Sequence, residues 1–310
     1  MTSRVTLANT NLSVFPLCLG TNVFGFSSTE EESFAVLDAY YEAGGNFIDT
    51  ADMYSEWKPG NKGGESETII GNWMKARGNR HEMVIATKVS KLSTRPGLSD
   101  ANIKAALDDS LRRLQSDHID LYYAHEDDAT VPLEETLSAF GDVIAAGKVH
   151  LVAASNYSGA RLREAAAVSK ANNLPSYVAV QNQYNIMDRE PFESDVAPVV
   201  KELGITSVPF YGLARGFLTG KYRPGVVVES VRAGGVVGYQ TERGWKVIDT
   251  VDAIAKEHNT TMSAVALAWL RGHGSIPIAS ARIASQAKEI LPLVELSAAQ
   301  IAAIDSASRS

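Results

Sequence analysis

Short apolar runs alternate along this chain with longer segments in which apolar residues recur three or four positions apart. The runs predict strands and the longer segments predict helices, because side chains repeat every two residues in a strand and every 3.6 residues in a helix. The predicted strands are 15–20, 46–49, 83–87, 119–124, 149–154, 177–181, 205–210 and 275–279. The predicted helices are 29–43, 65–77, 99–114, 133–146, 159–171, 195–203, 243–257, 263–271, 285–291 and 297–307.

This alternation predicts an α/β protein folded as a (β/α)8 TIM barrel. Repeated strand–helix units require parallel strands with right-handed crossovers, and eight units fit one barrel domain spanning residues 1–310. Residues 4–14 alternate around a turn at 9–11 and predict a short N-terminal β-hairpin. The last two helices are expected as extra C-terminal helices. Residues 211–240, rich in Gly and Pro, are expected to form an irregular, mobile loop over the site.

The composition restricts the class of partner. The formal net charge is −7, from 29 basic and 36 acidic residues, which argues against nucleic-acid binding because that needs clustered positive charge. No run approaches the ~18 apolar residues of a membrane span, and the N-terminus carries no secretory signal. A single cysteine, Cys18, fits a reducing compartment. We expect a cytoplasmic protein without nucleic-acid or membrane partners, present as a monomer or a weak homo-oligomer.

Four polar residues lie at or just after the ends of predicted strands. Asp49, Lys88 and His125 end three strands, and Tyr54 lies on the loop after the first. The C-terminal ends of barrel strands share one face, so these side chains are expected to converge. A lysine ammonium favours a neighbouring phenolate, a carboxylate fixes the lysine, and an imidazole orients a substrate oxygen. This set suits reduction of a carbonyl group, with hydride supplied by a cofactor.

The same residues lie in motifs that resemble those of the aldo-keto reductases, in order along nearly the whole chain. The matching segments are 20–25, 46–54, 86–88, 120–125, 154–156, 181–185, 211–222 and 280–286. The run 213–221 is most similar to the branch that contains bacterial general-stress reductases and potassium-channel β subunits. The absence of a G-x-G-x-x-G after a strand agrees with this resemblance, since the family binds its nucleotide without a Rossmann fold.

The resemblance implies a role for each catalytic candidate. Tyr54 would be the general acid, Lys88 would tune its pKa, Asp49 would hold Lys88, and His125 would orient the carbonyl. The implied cofactor is NADPH. The implied cofactor-binding residues are Gly20, Thr21, Asn22, Asp49, Ser155, Asn156, Gln181, Tyr211, Gly212, Leu213, Ala214, Arg215, Lys221, Ser280, Arg282 and Gln286.

Within that set, the resemblance assigns parts of the cofactor to particular residues. Ser155, Asn156 and Gln181 would hold the nicotinamide carboxamide, and Tyr211 would stack on the nicotinamide ring. Residues 212–221 would lie along the pyrophosphate. Arg282 would be the charged partner of the adenosine 2′-phosphate, because its planar guanidinium suits a phosphate.

Two positions depart from the family pattern. Asn22 stands where many members have a tryptophan, and Ile290 stands where many have an asparagine that contacts adenine. The first change is expected to open or polarise one wall of the pocket, and the second to weaken nucleotide binding. The residues expected to line the substrate pocket are Phe24, Tyr54, Trp57, His125 and, from the long loop, Tyr239.

The leading hypothesis is an NADPH-dependent oxidoreductase that reduces small aldehydes or ketones to alcohols. One alternative is a cofactor-binding regulatory subunit with slow, incidental turnover. Another is a barrel lyase or isomerase that uses Lys88 as a Schiff base. No metal site is expected: the acidic residues 126–128 are adjacent on one loop and do not face one point, and no cysteine or second histidine joins them. His150 is not chosen as the catalytic histidine, because it lies near a strand start, on the face of a barrel associated with stability.

Overall fold

The structure is a computed structural model and describes residues 4–226, 228 and 233–309. A two-stranded antiparallel hairpin comes first, formed by β1 (Val5–Thr6) and β2 (Ser13–Val14). The parallel strands that follow are β3 (Cys18–Gly20), β4 (Phe47–Asp49), β5 (Val84–Val89), β6 (Ile119–Ala124), β7 (Val149–Ser155), β8 (Ala179–Gln181), β9 (Thr206–Ser207) and β10 (Ile278–Ala279). Their order in the sheet is β10-β3-β4-β5-β6-β7-β8-β9.

Two backbone hydrogen bonds join the ends of this sheet. The amide of Ile276 donates to the carbonyl of Ser207 at 2.9 Å, and the amide of Ile278 donates to the carbonyl of Pro209 at 2.9 Å. The eight parallel strands therefore curl round until β9 meets β10. The predicted (β/α)8 barrel and its N-terminal hairpin are confirmed.

The α-helices of the described residues follow the strands as expected. They are α1 (Glu30–Glu42), α2 (Glu65–Arg77), α3 (Asp100–Leu114), α4 (Leu133–Ala145), α5 (Gly159–Asn172), α6 (Ala197–Leu203), α7 (Glu242–Glu257), α8 (Met262–Gly272), α9 (Ala284–Ile290) and α10 (Ala298–Arg309). Local sequence explains their ends. Thr29 and Glu32 form a capping box at the start of α1, and Gly78 ends α2 with a φ of 65°. No helix among these residues is long and apolar enough to cross a membrane.

The core has two layers separated by the sheet. Alternate strand residues face the barrel interior, where Phe47, Ala86 and Leu121 are fully buried in one apolar cluster. Leu7 and Val14 of the hairpin region belong to the same cluster, so the hairpin packs onto the interior. A larger cluster lies between the sheet and the surrounding helices. The strand ends that carry polar residues are thus held from both sides.

Several local predictions differ from the structure. β5 extends to Val89, so Lys88 lies within the strand, two residues after the inward-facing Ala86, and points to the same side. The predicted strand 205–210 is regular only at β9, and α6 is preceded by a π-helical turn at Phe192–Val196. The loop 211–240 is not irregular throughout: it contains 3₁₀ segments at Ala214–Thr219 and Ala233–Tyr239. Its residues 227 and 229–232 lie outside the described residues.

Candidate active site

Asp49, Lys88 and Tyr54 form one compact hydrogen-bonded group. Lys88 Nζ lies 2.7 Å from Asp49 Oδ2 and donates to Tyr54 Oη at 2.8 Å. Its third hydrogen bond, at 2.7 Å, goes to the carbonyl oxygen of Thr50. Tyr54 Oη is itself 3.3 Å from Asp49 Oδ2. All three protons of the lysine ammonium are therefore used in hydrogen bonds, and one of these bonds goes to the phenol oxygen of Tyr54.

Burial dominates the electrostatics of this group. Desolvation, followed by the charge and hydrogen bond of Asp49, raises the pKa of Tyr54 well above its ordinary value. Desolvation also lowers the pKa of Lys88, and Asp49 acts in the opposite direction. The sequence-based expectation of a tyrosine pKa lowered by Lys88 is wrong for this arrangement, because removal from water outweighs the ammonium. The phenol therefore keeps its proton at neutral pH.

His125 faces the phenol from the end of β6. The two rings lie edge to face with centroids 6.0 Å apart. Desolvation, then the positive charges of Lys88 and Lys91, lowers the pKa of His125 well below its ordinary value. Its buried Nδ1 has no hydrogen-bond partner among the described residues. The imidazole of His125 is thus neutral at physiological pH.

A chain of buried hydroxyl groups supports the loop that carries these residues. Thr50 Oγ1 donates to Ser66 Oγ at 3.0 Å, Ser66 Oγ lies 2.8 Å from Thr21 Oγ1, and Thr21 Oγ1 donates to the carbonyl oxygen of Asp49 at 2.8 Å. All three hydroxyl residues are fully buried. Since the Thr50 carbonyl accepts from Lys88, this chain fixes the backbone on which the ammonium depends.

Polar residues at the ends of β7 and β8 lie beside the same group. Gln181 Nε2 donates to Asp49 Oδ1 at 2.8 Å, so both carboxylate oxygens of Asp49 are satisfied. Ser155 Oγ donates to the Gln181 carbonyl at 2.8 Å. The side chain of Asn156 is exposed and donates to the backbone oxygen of His125 at 2.9 Å. The three residues predicted to hold a carboxamide are therefore linked to Asp49 and His125.

The segment after β9 turns sharply beside the site. Tyr211, Ala214 and Arg215 have positive φ angles of 58°, 46° and 57°, and Gly216 follows at 96°. Backbone hydrogen bonds close this turn: the Ala214 amide donates to the Tyr211 carbonyl at 2.7 Å, and the Gly216 amide donates to the Leu213 carbonyl at 2.8 Å. Tyr211 is 38% exposed, with the Arg215 guanidinium 4.7 Å from its ring centroid. The Tyr211 ring is thus partly accessible, with a cation over one of its faces.

A second polar group joins the loop after β3 to the loop after β10. Ser280 Oγ donates to Asn22 Oδ1 at 3.0 Å, and the Arg282 amide donates to Gln286 Oε1 at 3.0 Å. The Arg282 side chain is exposed and contacts the Ser27 carbonyl at 3.3 Å. A Cβ on Gly20 would meet Ser280 Oγ at 2.8 Å, so only glycine permits this approach of the two loops.

Comparison with known proteins agrees with this geometry. The aldo/keto reductase family model matches residues 16–309. The chain belongs to the aldo/keto reductase family. Its relatives include an uncharacterized oxidoreductase, YrpG, of Bacillus subtilis (strain 168), 32% identical over 94% of this chain and 90% of that protein. Protein tas of Escherichia coli (strain K12) is 31% identical over 86% of this chain and 84% of its own length. Norsolorinic acid reductase of Aspergillus flavus is 30% identical over 86% of this chain and 70% of its own length.

As an aldo/keto reductase, the chain is an oxidoreductase of a family that typically binds a nicotinamide cofactor. The residues present fit such a group. The partly exposed ring of Tyr211 suits a flat group such as nicotinamide. Lys221 and Arg282, both exposed, add positive charge. Which residues contact the cofactor stays a prediction.

The predicted pocket residues of this aldo/keto reductase differ in accessibility. Trp57 is 44% exposed and lies edge to face with Tyr54, with centroids 6.1 Å apart. Phe24 is fully buried, so a substrate would reach it only if neighbouring residues moved. Tyr239 donates to Asp188 Oδ2 at 2.5 Å, and its ring packs on Phe217. Of Trp57, Phe24 and Tyr239, Trp57 therefore offers the most accessible surface to a substrate.

Ile290, the second departure from the family pattern, is 3% exposed near the end of α9. Its side chain belongs to the cluster between sheet and helices. An apolar side chain is stable at this position because it buries its surface against the core. Isoleucine in place of asparagine at position 290 therefore helps to pack the core of this chain.

Sequence reasoning missed a buried acidic pair behind the catalytic group. Glu67, fully buried on α2, accepts from Arg113 Nε at 2.6 Å and from the Thr87 hydroxyl. Asp52 is 1% exposed, and neither carboxylate oxygen has a partner among the described residues. Desolvation, then the charge of Glu67, raises the pKa of Asp52 to about 7. Asp52 lies just after Asp49 in sequence and Glu67 lies on α2, but only the folded chain shows that both acids are buried.

Proposed function

We propose that this protein is an NADPH-dependent carbonyl reductase that converts small aldehydes or ketones to alcohols. The observation that carries the proposal is the contact of 2.8 Å between Tyr54 Oη and Lys88 Nζ, with Lys88 held on Asp49 at 2.7 Å. A buried phenol with a charged donor at its oxygen suits proton donation to a developing alkoxide. A bound nicotinamide would supply hydride to the carbonyl carbon.

Tyr54 is the proton donor in this proposal. Its O–H bond breaks as the substrate oxygen gains the proton, so a neutral alcohol and a phenolate result. The Lys88 ammonium, 2.8 Å away, stabilises that phenolate until a proton from solvent restores it. The raised pKa of Tyr54 ensures that the donor is protonated before the reaction. Asp49 keeps the lysine charged despite its complete burial.

His125 positions the substrate oxygen. The neutral imidazole donates a hydrogen bond through one ring nitrogen, while a charged ring would repel Lys88 and Lys91. Its edge-to-face arrangement with Tyr54 leaves the substrate oxygen to be shared between the phenol and the imidazole. The buried surroundings strengthen both hydrogen bonds, since water does not compete for them.

We propose NADPH rather than NADH because of Arg282. Its guanidinium is exposed, and its hydrogen bond to the Ser27 carbonyl uses only one of its five donor protons. A 2′-phosphate is the part of NADPH that NADH lacks, and a guanidinium binds it with two parallel hydrogen bonds. Ser280 and Gln286 lie on the same loop and the helix that follows it.

The proposed substrates are small carbonyl compounds with an apolar or aromatic group. The exposed indole of Trp57 beside Tyr54 provides a surface for such a group. One relative is named for the reduction of norsolorinic acid and another as an aryl-alcohol dehydrogenase, which supports this choice. We place the protein in the cytoplasm, because its one cysteine is a buried free thiol.

Oxidation of NADPH and NADH with a panel of aromatic aldehydes, aliphatic aldehydes and ketones tests the proposal. Tyr54→Phe should lower kcat about 10²-fold or more while NADPH binding, followed by its fluorescence, is retained. Tyr41→Phe is the matched control, because that phenol contacts Glu82 away from the site. Wild-type rates in Tyr54→Phe would remove the proton-donor role. Tight NADPH binding without turnover on any carbonyl would favour a regulatory subunit.

A further inference from the structure

A cluster of two histidines and an aspartate lies at the start of β6 and β7, the opposite end of these strands from His125. His118 precedes β6, Asp120 is its second residue, and His150 is the second residue of β7. The strands are paired with Ile119 opposite Val149, so Asp120 and His150 are neighbours across the sheet. Two paired strands therefore supply Asp120 and His150, and His118 directly precedes the first of them.

The polar atoms of this cluster converge. His118 Nε2 and His150 Nδ1 lie 3.8 Å and 3.5 Å from the same oxygen, Asp120 Oδ1. One ligand atom from each of the three residues lies within 4.8 Å of those from the other two. The imidazole rings are stacked with centroids 4.5 Å apart. Two imidazole nitrogens and one carboxylate oxygen are a ligand set typical of divalent transition metals.

The surroundings prepare two of these atoms for a cation. Asp117 Oδ1 lies 2.6 Å from His118 Nδ1, a contact that favours the tautomer with its proton on Nδ1 and a lone pair on Nε2. Asp120 Oδ2 accepts from Arg80 and from the Ile85 amide, both at 2.9 Å or less, which leaves Oδ1 for the histidines. A carboxylate behind a ligating imidazole is the usual second contact in zinc sites.

We propose that His118, Asp120 and His150 bind a divalent transition-metal ion such as Zn²⁺. Ligand atoms about 2.0–2.1 Å from a tetrahedral zinc are about 3.4 Å apart, so the cluster must contract by somewhat more than 1 Å. His150 allows this, because its side chain is 51% exposed and can rotate out of the ring stack. Water completes the coordination. Asp120 and His118 stay in place on their own hydrogen bonds.

Calorimetric titration of untagged, chelator-treated protein with Zn²⁺ alone tests this proposal. One ion should bind per chain, and saturating Zn²⁺ should raise the thermal unfolding midpoint, because a ligand of the folded state stabilises it. His150→Ala and His118→Ala should each weaken binding about tenfold or more and reduce the rise in midpoint. His81→Ala is the matched control, since that histidine is exposed nearby and lies outside the cluster.

The outcomes are distinct. No binding to the wild type, or equal binding by the wild type and His150→Ala, would overturn the site. Loss in His150→Ala but not in His118→Ala would overturn the three-ligand geometry. Carbonyl reduction by His150→Ala should match the wild type, because His150 lies beside Asp120 at the start of the strands, and the six-residue strand β6 separates this end from His125 by about 20 Å.

Discussion

Replacing Asp52 by asparagine should remove a pH dependence of stability that the wild-type protein carries. The carboxyl is 1% exposed with both oxygens unpartnered among the described residues, and its pKa is raised from 3.8 to about 7. Between these values the folded chain holds a proton that the unfolded chain releases. The free energy of unfolding therefore falls as pH rises from about 4 to about 7.

The size of this effect follows from the shift. About three pKa units at 1.36 kcal/mol each give about 4 kcal/mol, all of which acts against folding once the pH exceeds 7. Asparagine has nearly the same shape and does not ionise. The free energy of unfolding of Asp52→Asn, relative to the wild type, should thus rise as the pH rises. Burying the asparagine amide can also change stability, but that change does not depend on pH.

Urea unfolding of both proteins from about pH 4.5 to about pH 8.5 measures the difference. Asp38→Asn is the control, because the pKa of Asp38 is shifted in the opposite direction: the hydrogen bond from Arg77 lowers it below 3.8. Asp38 is ionised in both states across this range, so its substitution should give a constant difference. A constant difference for Asp52→Asn would refute the reasoning and show that Asp52 is ionised in the folded protein.

Three further predictions concern the catalytic group and its cofactor. Lys88→Met should lower the free energy of unfolding by about 3–5 kcal/mol in urea, because Asp49 loses its buried partner, and reduce kcat about 10²-fold or more. Ser66→Ala breaks the hydroxyl chain and should reduce kcat several-fold with little change in NADPH binding; a lower affinity for NADPH with unchanged kcat would contradict this. Arg282→Ala should weaken NADPH about tenfold or more but barely affect NADH, whereas Arg163→Ala, which removes a surface ion pair, should change neither.

The helix boundaries show how much local sequence can predict. The sequence predicts a helix over residues 65–77, and α2 has those bounds, with Gly78 in the left-handed conformation at its end. The cap at Thr29 is equally local, since Thr29 and Glu32 lie within one turn. Strand ends were less accurate: β5 runs to Val89 because its partner β6 pairs with it to that residue. A strand's length depends on its neighbour, which lies far away in sequence.

The sequence predicts the four catalytic candidates and their convergence, but not the contacts among them. Asp49, Tyr54, Lys88 and His125 were expected to converge because barrel strands end on one face, and the structure brings them together. The contact between Gln181 and Asp49 spans 132 positions and depends on the distance between β4 and β8 across the barrel. No local pattern encodes that distance.

By itself, the sequence determined the order of strands and helices, the helix ends and the polar residues available at strand ends. These depend on side chains within a few positions of each other. Only the tertiary structure decided which polar groups lose water: Lys88 and Asp52 are buried, while Trp57 stays exposed. It also decided that His118 and His150 face one carboxylate oxygen. Burial and long-range contact arise when the barrel closes, and they set the pKa shifts that give these residues their chemistry.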